Sequence, residues 1–156
     1  MELYFLRHGE AEPLALGGTD DARRLTERGR QDARLVAQAL HRAGVRPEVI
    51  LTSPLTRGRQ TGEALEEVFG VSARVEERLR SGCTLGDLQE VLADRPEARF
   101  VLVGHEPDVS RMVGRLIGNA RVKMQTSCVA RVEAEQVEPG GGMLIWLLSP
   151  QVAGAG

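Results

Sequence analysis

Leu3-Tyr4-Phe5-Leu6-Arg7-His8-Gly9 runs through four consecutive apolar residues and then stops on an arginine, a histidine and a glycine. The run is a strand candidate, and its abrupt polar end recurs twice more. Val49-Ile50-Leu51 ends at Thr52-Ser53-Pro54, and Phe100-Val101-Leu102-Val103 ends at Gly104-His105. Stretches of helical period lie between these strands. The first opens at Thr26, an N-cap candidate, and places Ala33, Val36, Ala37 and Leu40 on one face before Gly44 stops it. The second runs from Leu55 to Phe69, with Leu65, Val68 and Phe69 apolar. A shorter strand around Ala73-Arg74-Val75 precedes a third helix marked by Leu85, Leu88 and Leu92, and a fourth carries Val109, Met112, Val113, Leu116 and Ile117.

The last third changes character. Cys128 to Glu133 alternates, Met143 to Leu148 is an apolar run, and Pro139-Gly140-Gly141-Gly142 between them reads as a hairpin loop. Four β-then-α units followed by a hairpin predict an α/β three-layer sandwich. Its central sheet is mostly parallel, with an antiparallel hairpin at one edge. No repeat or linker divides the chain, so residues 1–150 are expected to form a single domain and 151–156 a flexible tail.

Composition narrows the function classes. The 156 residues are 42% hydrophobic and 27% charged, with a net charge of −2, which excludes wholesale disorder and argues against a nucleic-acid surface. No apolar run approaches the roughly 20 residues that span a bilayer, so no membrane association is expected. An Arg and a His interrupt the start where a signal peptide would keep its apolar stretch. The two cysteines, Cys83 and Cys128, read as small buried residues in a reducing compartment, and the cytoplasm is the expected location. Nineteen arginines face one lysine, Lys123, so most arginines are composition bias rather than a patch.

Three strand ends carry the polar signatures, and in such sheets sites lie beyond the carboxyl ends of the strands. Arg7, His8, Arg57 and His105 therefore converge. A guanidinium pair matches phosphate oxygens in forked geometry. A neutral imidazole can attack phosphorus, and a second one, if protonated, can hold the equatorial oxygens as charge develops. Two helix N-termini add N–H donors. No metal set, Walker loop or GxGxxG is visible, and no cofactor is expected. His41, near a helix C-terminus, reads as structural.

Several motifs add a resemblance. LRHGEAEP (residues 6–13) resembles the nucleophile motif of the histidine phosphatase superfamily, the phosphoglycerate mutase-like family, and more narrowly of short SixA-type phosphohistidine phosphatases. RRLTERGRQDA, LTSPLTRGRQT, FVLVGHEPDVS, SCVARVE and WLLSP are similar to that family's later motifs, in the same order. The resemblance implies a phosphoglycerate mutase-like fold, with His8 as a nucleophile that becomes phosphohistidine. Arg7, Arg57, His8 and His105 would bind the phosphoryl group. Larger relatives place an acid after the strand that follows the second arginine motif. Glu77 is the nearest candidate here, although aligning Leu79 with the short phosphatases puts Arg78 at that position, and Glu76 and Glu77 also read as solvated charges. Glu10 is a weaker candidate.

Without an acid, expelling imidazole from phosphohistidine is easier than expelling an alkoxide. The stretch between Arg57 and His105 is also too short for the cap domain that larger members carry. The expected activity is therefore phosphatase action on a phosphorylated protein bearing phosphohistidine. A small phosphorylated metabolite (sugar phosphate or nucleotide) is the alternative substrate, and a non-catalytic phosphoprotein-binding module the alternative class.

Overall fold

The computed structural model describes residues 1–154, and the three apolar runs become adjacent parallel strands. These are β1 (Glu2–Arg7), β2 (Val49–Thr52) and β4 (Arg99–Gly104), joined at one side by β3 (Ala73–Val75). β5 (Val129–Ala134) runs antiparallel beside β1, and β6 (Gly142–Leu148) antiparallel beside β5. The sheet order is β3-β2-β4-β1-β5-β6, a mixed sheet that is parallel except for the two strands at one edge.

Helices cover both faces, which is why the central strands are apolar at every position rather than at every second one. Leu3, Phe5, Phe100 and Leu102 point into a core completed by α3 (Leu85–Ala93) and α4 (Asp108–Leu116). Tyr4, Leu6, Val101 and Val103 point the other way, against α1 (Glu27–Arg42) and α2 (Thr56–Phe69). Each such fully buried side chain contributes about 1.5–3 kcal/mol.

Helix ends follow local chemistry. Thr26 caps α1 by accepting from the Gly29 N–H, and Thr84 forms a reciprocal capping box with Asp87 at α3. Gly70, in the left-handed region at φ 69°, closes α2. Cys83 and Cys128 are buried, unpaired thiols. No helix among the described residues is long and apolar enough to cross a membrane.

The end of the chain departs from the expected tail. Ser149 caps a short helix, α5 (Pro150–Ala153), whose Ala153 packs against the α1 side of the core. The signal was the Ser-Pro pair, a capping residue followed by the residue favoured in the first helical turn. Residues 155 and 156 of that expected tail lie outside the described residues.

Candidate active site

Strand register brings the three polar ends level. Arg7 pairs with Gly104 across β1 and β4, Thr52 pairs with Val103 across β2 and β4, and the Ser53 N–H extends that ladder onto the Val103 carbonyl. His8 continues β1 by donating its backbone N–H to the Gly104 carbonyl at 3.1 Å. His105 follows β4 directly, and the two imidazole centroids stand 5.0 Å apart. Arg57 enters from the first turn of α2, almost fully buried. Arg7, His8, Arg57 and His105 thus meet at the carboxyl edge of the sheet.

The loop after β1 is held by contacts that the sequence reading did not assign. The Thr61 hydroxyl donates to the Arg57 carbonyl at 2.8 Å and accepts the Gly9 N–H at 3.0 Å, tying the His8 turn to α2. Gln60 accepts the Leu25 N–H at 2.7 Å. A Cβ on Gly9 would lie 2.8 Å from the Gly29 carbonyl oxygen, so the loop and the start of α1 touch backbone to backbone. From the other side, the Ser127 N–H reaches both the Arg7 and His8 carbonyls, at 3.1 and 3.2 Å.

His8 Nδ1 lies 2.7 Å from the Gly9 carbonyl oxygen. A carbonyl only accepts, so Nδ1 carries the hydrogen and Nε2 keeps its lone pair. Burial pushes the His8 pKa down to about 3, partly offset by the Gly9 bond and reinforced by His105, Arg57 and Arg7. His105 is lowered to about 4, again chiefly by burial and then by Arg57. At neutral pH the site therefore holds two cationic forks and two neutral imidazoles.

Those forks are only partly used. Arg7 donates through Nη1 to the Met124 carbonyl at 3.1 Å, and Arg57 through Nη1 and Nη2 to Asp20. The Nε groups of both arginines, and Nδ1 of His105, are buried without a partner among the described residues. A buried donor without an acceptor costs about 1–3 kcal/mol, so this arrangement favours a multivalent oxyanion beside His8 Nε2. A surface depression at the other end of the strands, around Met1, Ala98 and Glu133, is lined by neither histidine nor cysteine. Among the described residues, no three His, Cys, Asp or Glu side chains are grouped to hold a metal ion.

The candidate acids sit at the rim. Glu77 begins a 3-10 turn (Glu77–Leu79), and its side-chain partner is Arg80 at 3.3 Å. Arg80 also pairs with Asp21 at 2.9 Å. Glu10 is exposed and accepts from the Thr26 hydroxyl at 2.6 Å. Arg78 turns away to Glu76. Asp20, which no motif had singled out, is the carboxylate that reaches Arg57, and its pKa is held down first by Arg23 and also by Arg57. His41 is exposed on α1 with its ring 5.8 Å from that of Phe69, a structural position.

Two arginines and two neutral histidines at the carboxyl edge of a mixed sheet could hold a phosphoryl group, and the chain belongs to the histidine phosphatase superfamily (branch 1), whose sequence model matches residues 3–125. The chain is 30% identical to the phosphohistidine phosphatase SixA of Escherichia coli K12 over 156 aligned residues, 96% of this chain and 94% of that protein. It is 43% identical over 113 residues to an uncharacterised protein of Picosynechococcus, covering 70% and 68% of the two chains. The solved structure of the protein histidine phosphatase SixA complexed with tungstate superposes with a TM-score of 0.86 at 29% identity, over 97% of this chain and 98% of that one. The fold and the SixA-type resemblance expected from the motifs both hold.

Proposed function

We propose that this phosphatase hydrolyses phosphohistidine on a protein through a covalent intermediate at His8. The observation that carries the reading is the neutral His8 imidazole, its Nδ1 fixed by Gly9, under the influence of Arg7 and Arg57, whose Nε groups have no partner among the described residues. The Nε2 lone pair attacks phosphorus as the bond to the substrate imidazole breaks, and the leaving nitrogen takes a proton from solvent. Arg7, Arg57 and His105 hold the three oxygens in transit. Water then attacks the phosphorus, the bond to Nε2 breaks, and phosphate leaves with the water's oxygen while Nε2 recovers its lone pair.

The substrate class rests on the state of the carboxylates. Glu10, Glu77 and Asp20 are each engaged by a hydroxyl or a guanidinium, and Asp20 is held below the usual carboxylate range. Asp20 is thereby kept from serving as a protonated donor at neutral pH, and an imidazole leaving group does not require one. Between α2 and β4 only β3, the 3-10 turn and α3 intervene, so no inserted cap stands in the way of a phosphorylated side chain on another protein. The similarity to SixA over nearly the whole of both chains supports the same substrate. We place the protein in a reducing cytoplasm, in keeping with the unpaired Cys83 and Cys128.

Parallel assays on a phosphohistidine protein, a sugar phosphate and phosphoserine, with rapid quench, test the reading. The expected result is an acid-labile, base-stable phosphoenzyme that disappears in His8→Ala, with preference for the phosphohistidine protein. A decisive preference for an ester overturns the substrate, and turnover without a phosphoenzyme overturns the mechanism.

A further inference from the structure

Ser53 is fully buried at the end of β2, and its hydroxyl oxygen lies 2.6 Å from Nε2 of His105. The same oxygen accepts the Leu55 N–H at 3.1 Å. It has no other hydrogen-bond partner among the described residues, so its own proton has a single destination, the His105 ring. Two arrangements compete. If Ser53 donates, Nε2 is the acceptor and Nδ1 must carry the ring hydrogen. If the ring donates from Nε2, the serine hydrogen is left without an acceptor among the described residues in a fully buried position. Nδ1, which is buried with no protein partner, then offers a lone pair to its surroundings. The second arrangement leaves one buried donor unsatisfied and presents a lone pair to any anion in the site, so the first is favoured.

We infer that Ser53 is a positioning residue for His105: its hydroxyl donates to Nε2, holds the ring as the neutral Nδ1–H tautomer, and makes Nδ1 a hydrogen-bond donor to the phosphoryl oxygens. The inference rests on the reading of this site as a phosphoryl pocket. It adds that the second histidine works as a neutral donor and not as an imidazolium. Protonating His105 would put a hydrogen on Nε2 and force the Ser53 hydroxyl to turn away from its one acceptor. Burial, and after it Arg57, lowers the pKa of His105 in the same direction. Arg7 and Arg57 then supply the positive charge, and His105 supplies direction without adding to the repulsion in a crowded cationic pocket.

The test is a two-bond proton–nitrogen correlation spectrum of the three histidine rings at neutral pH, with and without inorganic phosphate, assigned with His41→Gln and His105→Gln. The wild type is expected to show His105 as the Nδ1–H tautomer in both states. An Nε2–H tautomer or an imidazolium in either state overturns the inference, whatever the activity assays show. Ser53→Ala should give a mixture of tautomers and about ten-fold weaker inorganic phosphate binding. A Ser53→Ala protein that keeps a pure Nδ1–H signal and unchanged phosphate affinity also overturns it. Should that variant fail to fold, the wild-type spectrum decides alone. Failure of the phosphohistidine assay leaves the tautomer result standing, so the two readings fail separately.

Discussion

Arg57 holds Asp20 at two points, donating to its backbone carbonyl at 2.8 Å and to its carboxylate at 3.1 Å. The arginine is buried while the aspartate side chain is 57% exposed, so a solvent-facing loop is fastened to the floor of the site. Arg23 closes the loop on itself, bonding the other Asp20 oxygen at 3.1 Å and the Glu12 carbonyl at 2.7 Å.

Asp20→Asn keeps the backbone bond and removes a negative charge that competes with phosphate for the same guanidinium. Inorganic phosphate affinity, measured by calorimetry, should rise about three- to ten-fold, with the gain shrinking at high salt. Weaker binding would show that the carboxylate chiefly orients Arg57.

Arg57→Lys keeps the charge but cannot serve two Asp20 oxygens and a phosphoryl group together. We expect kcat/KM to fall on the order of 10²- to 10³-fold with little change in melting temperature. Near-normal turnover would remove Arg57 from the phosphoryl clamp.

Acid should destabilise the fold through the site itself. His8 and His105 titrate near 3 and 4 in the folded chain against about 6.5 when unfolded, so between pH 4 and 6.5 the unfolded chain binds more protons. Stability is therefore full above the unfolded value and falls as pH drops below it, by about 2 kcal/mol between pH 6.5 and 5.5 for the pair. Urea melts of wild type and of a His8→Gln/His105→Gln double variant check this, since the variant should lose most of that slope. The same shifts predict that no limb near pH 6.5 in kcat/KM arises from His8, which stays neutral well into acid.

Gly29→Ala should damage the enzyme from a distance. A Cβ there would fall 2.1 Å from the Glu10 carbonyl oxygen, which also accepts the Thr26 N–H at 2.9 Å. The His8 loop or the start of α1 has to move, and we expect a loss of about 1–3 kcal/mol. Activity should fall by more than the unfolded fraction explains. A melt and a kcat measured on the same preparation separate the two effects.

Much of this site was legible because strand ends carry unusual residues. Leu3 to Leu6 and Phe100 to Val103 announce strands buried on both faces, and whatever follows them must lie at one sheet edge. Arg7, His8 and His105 could be placed by that reasoning alone, and Arg57 by its nearness to the end of β2. Asp20 could not, because it lies in a loop whose path depends on Arg57 and Arg23 rather than on any periodicity. Ser53 and Thr61 lie in LTSPLTRGRQT, a motif whose arginine carries the visible signal. Their roles depend on which atom each hydroxyl faces, and spacing does not encode that. Ser127 was hidden for another reason: its backbone N–H, not its side chain, makes the contact.

The position of β1 has a consequence for biosynthesis. It leaves the ribosome well before its two neighbours, β4 (Arg99–Gly104) and β5 (Val129–Ala134), and the Ser127 N–H that braces the His8 turn comes nearly as late. At about 5–20 residues per second, its strand partners follow it by roughly 5–25 s of synthesis. Throughout that interval the strand leading to His8 is an apolar segment with both edges unpaired, and the strand pairing that positions His8 is not yet made. The site around His8 is therefore assembled only once β4, β5 and Ser127 have been made.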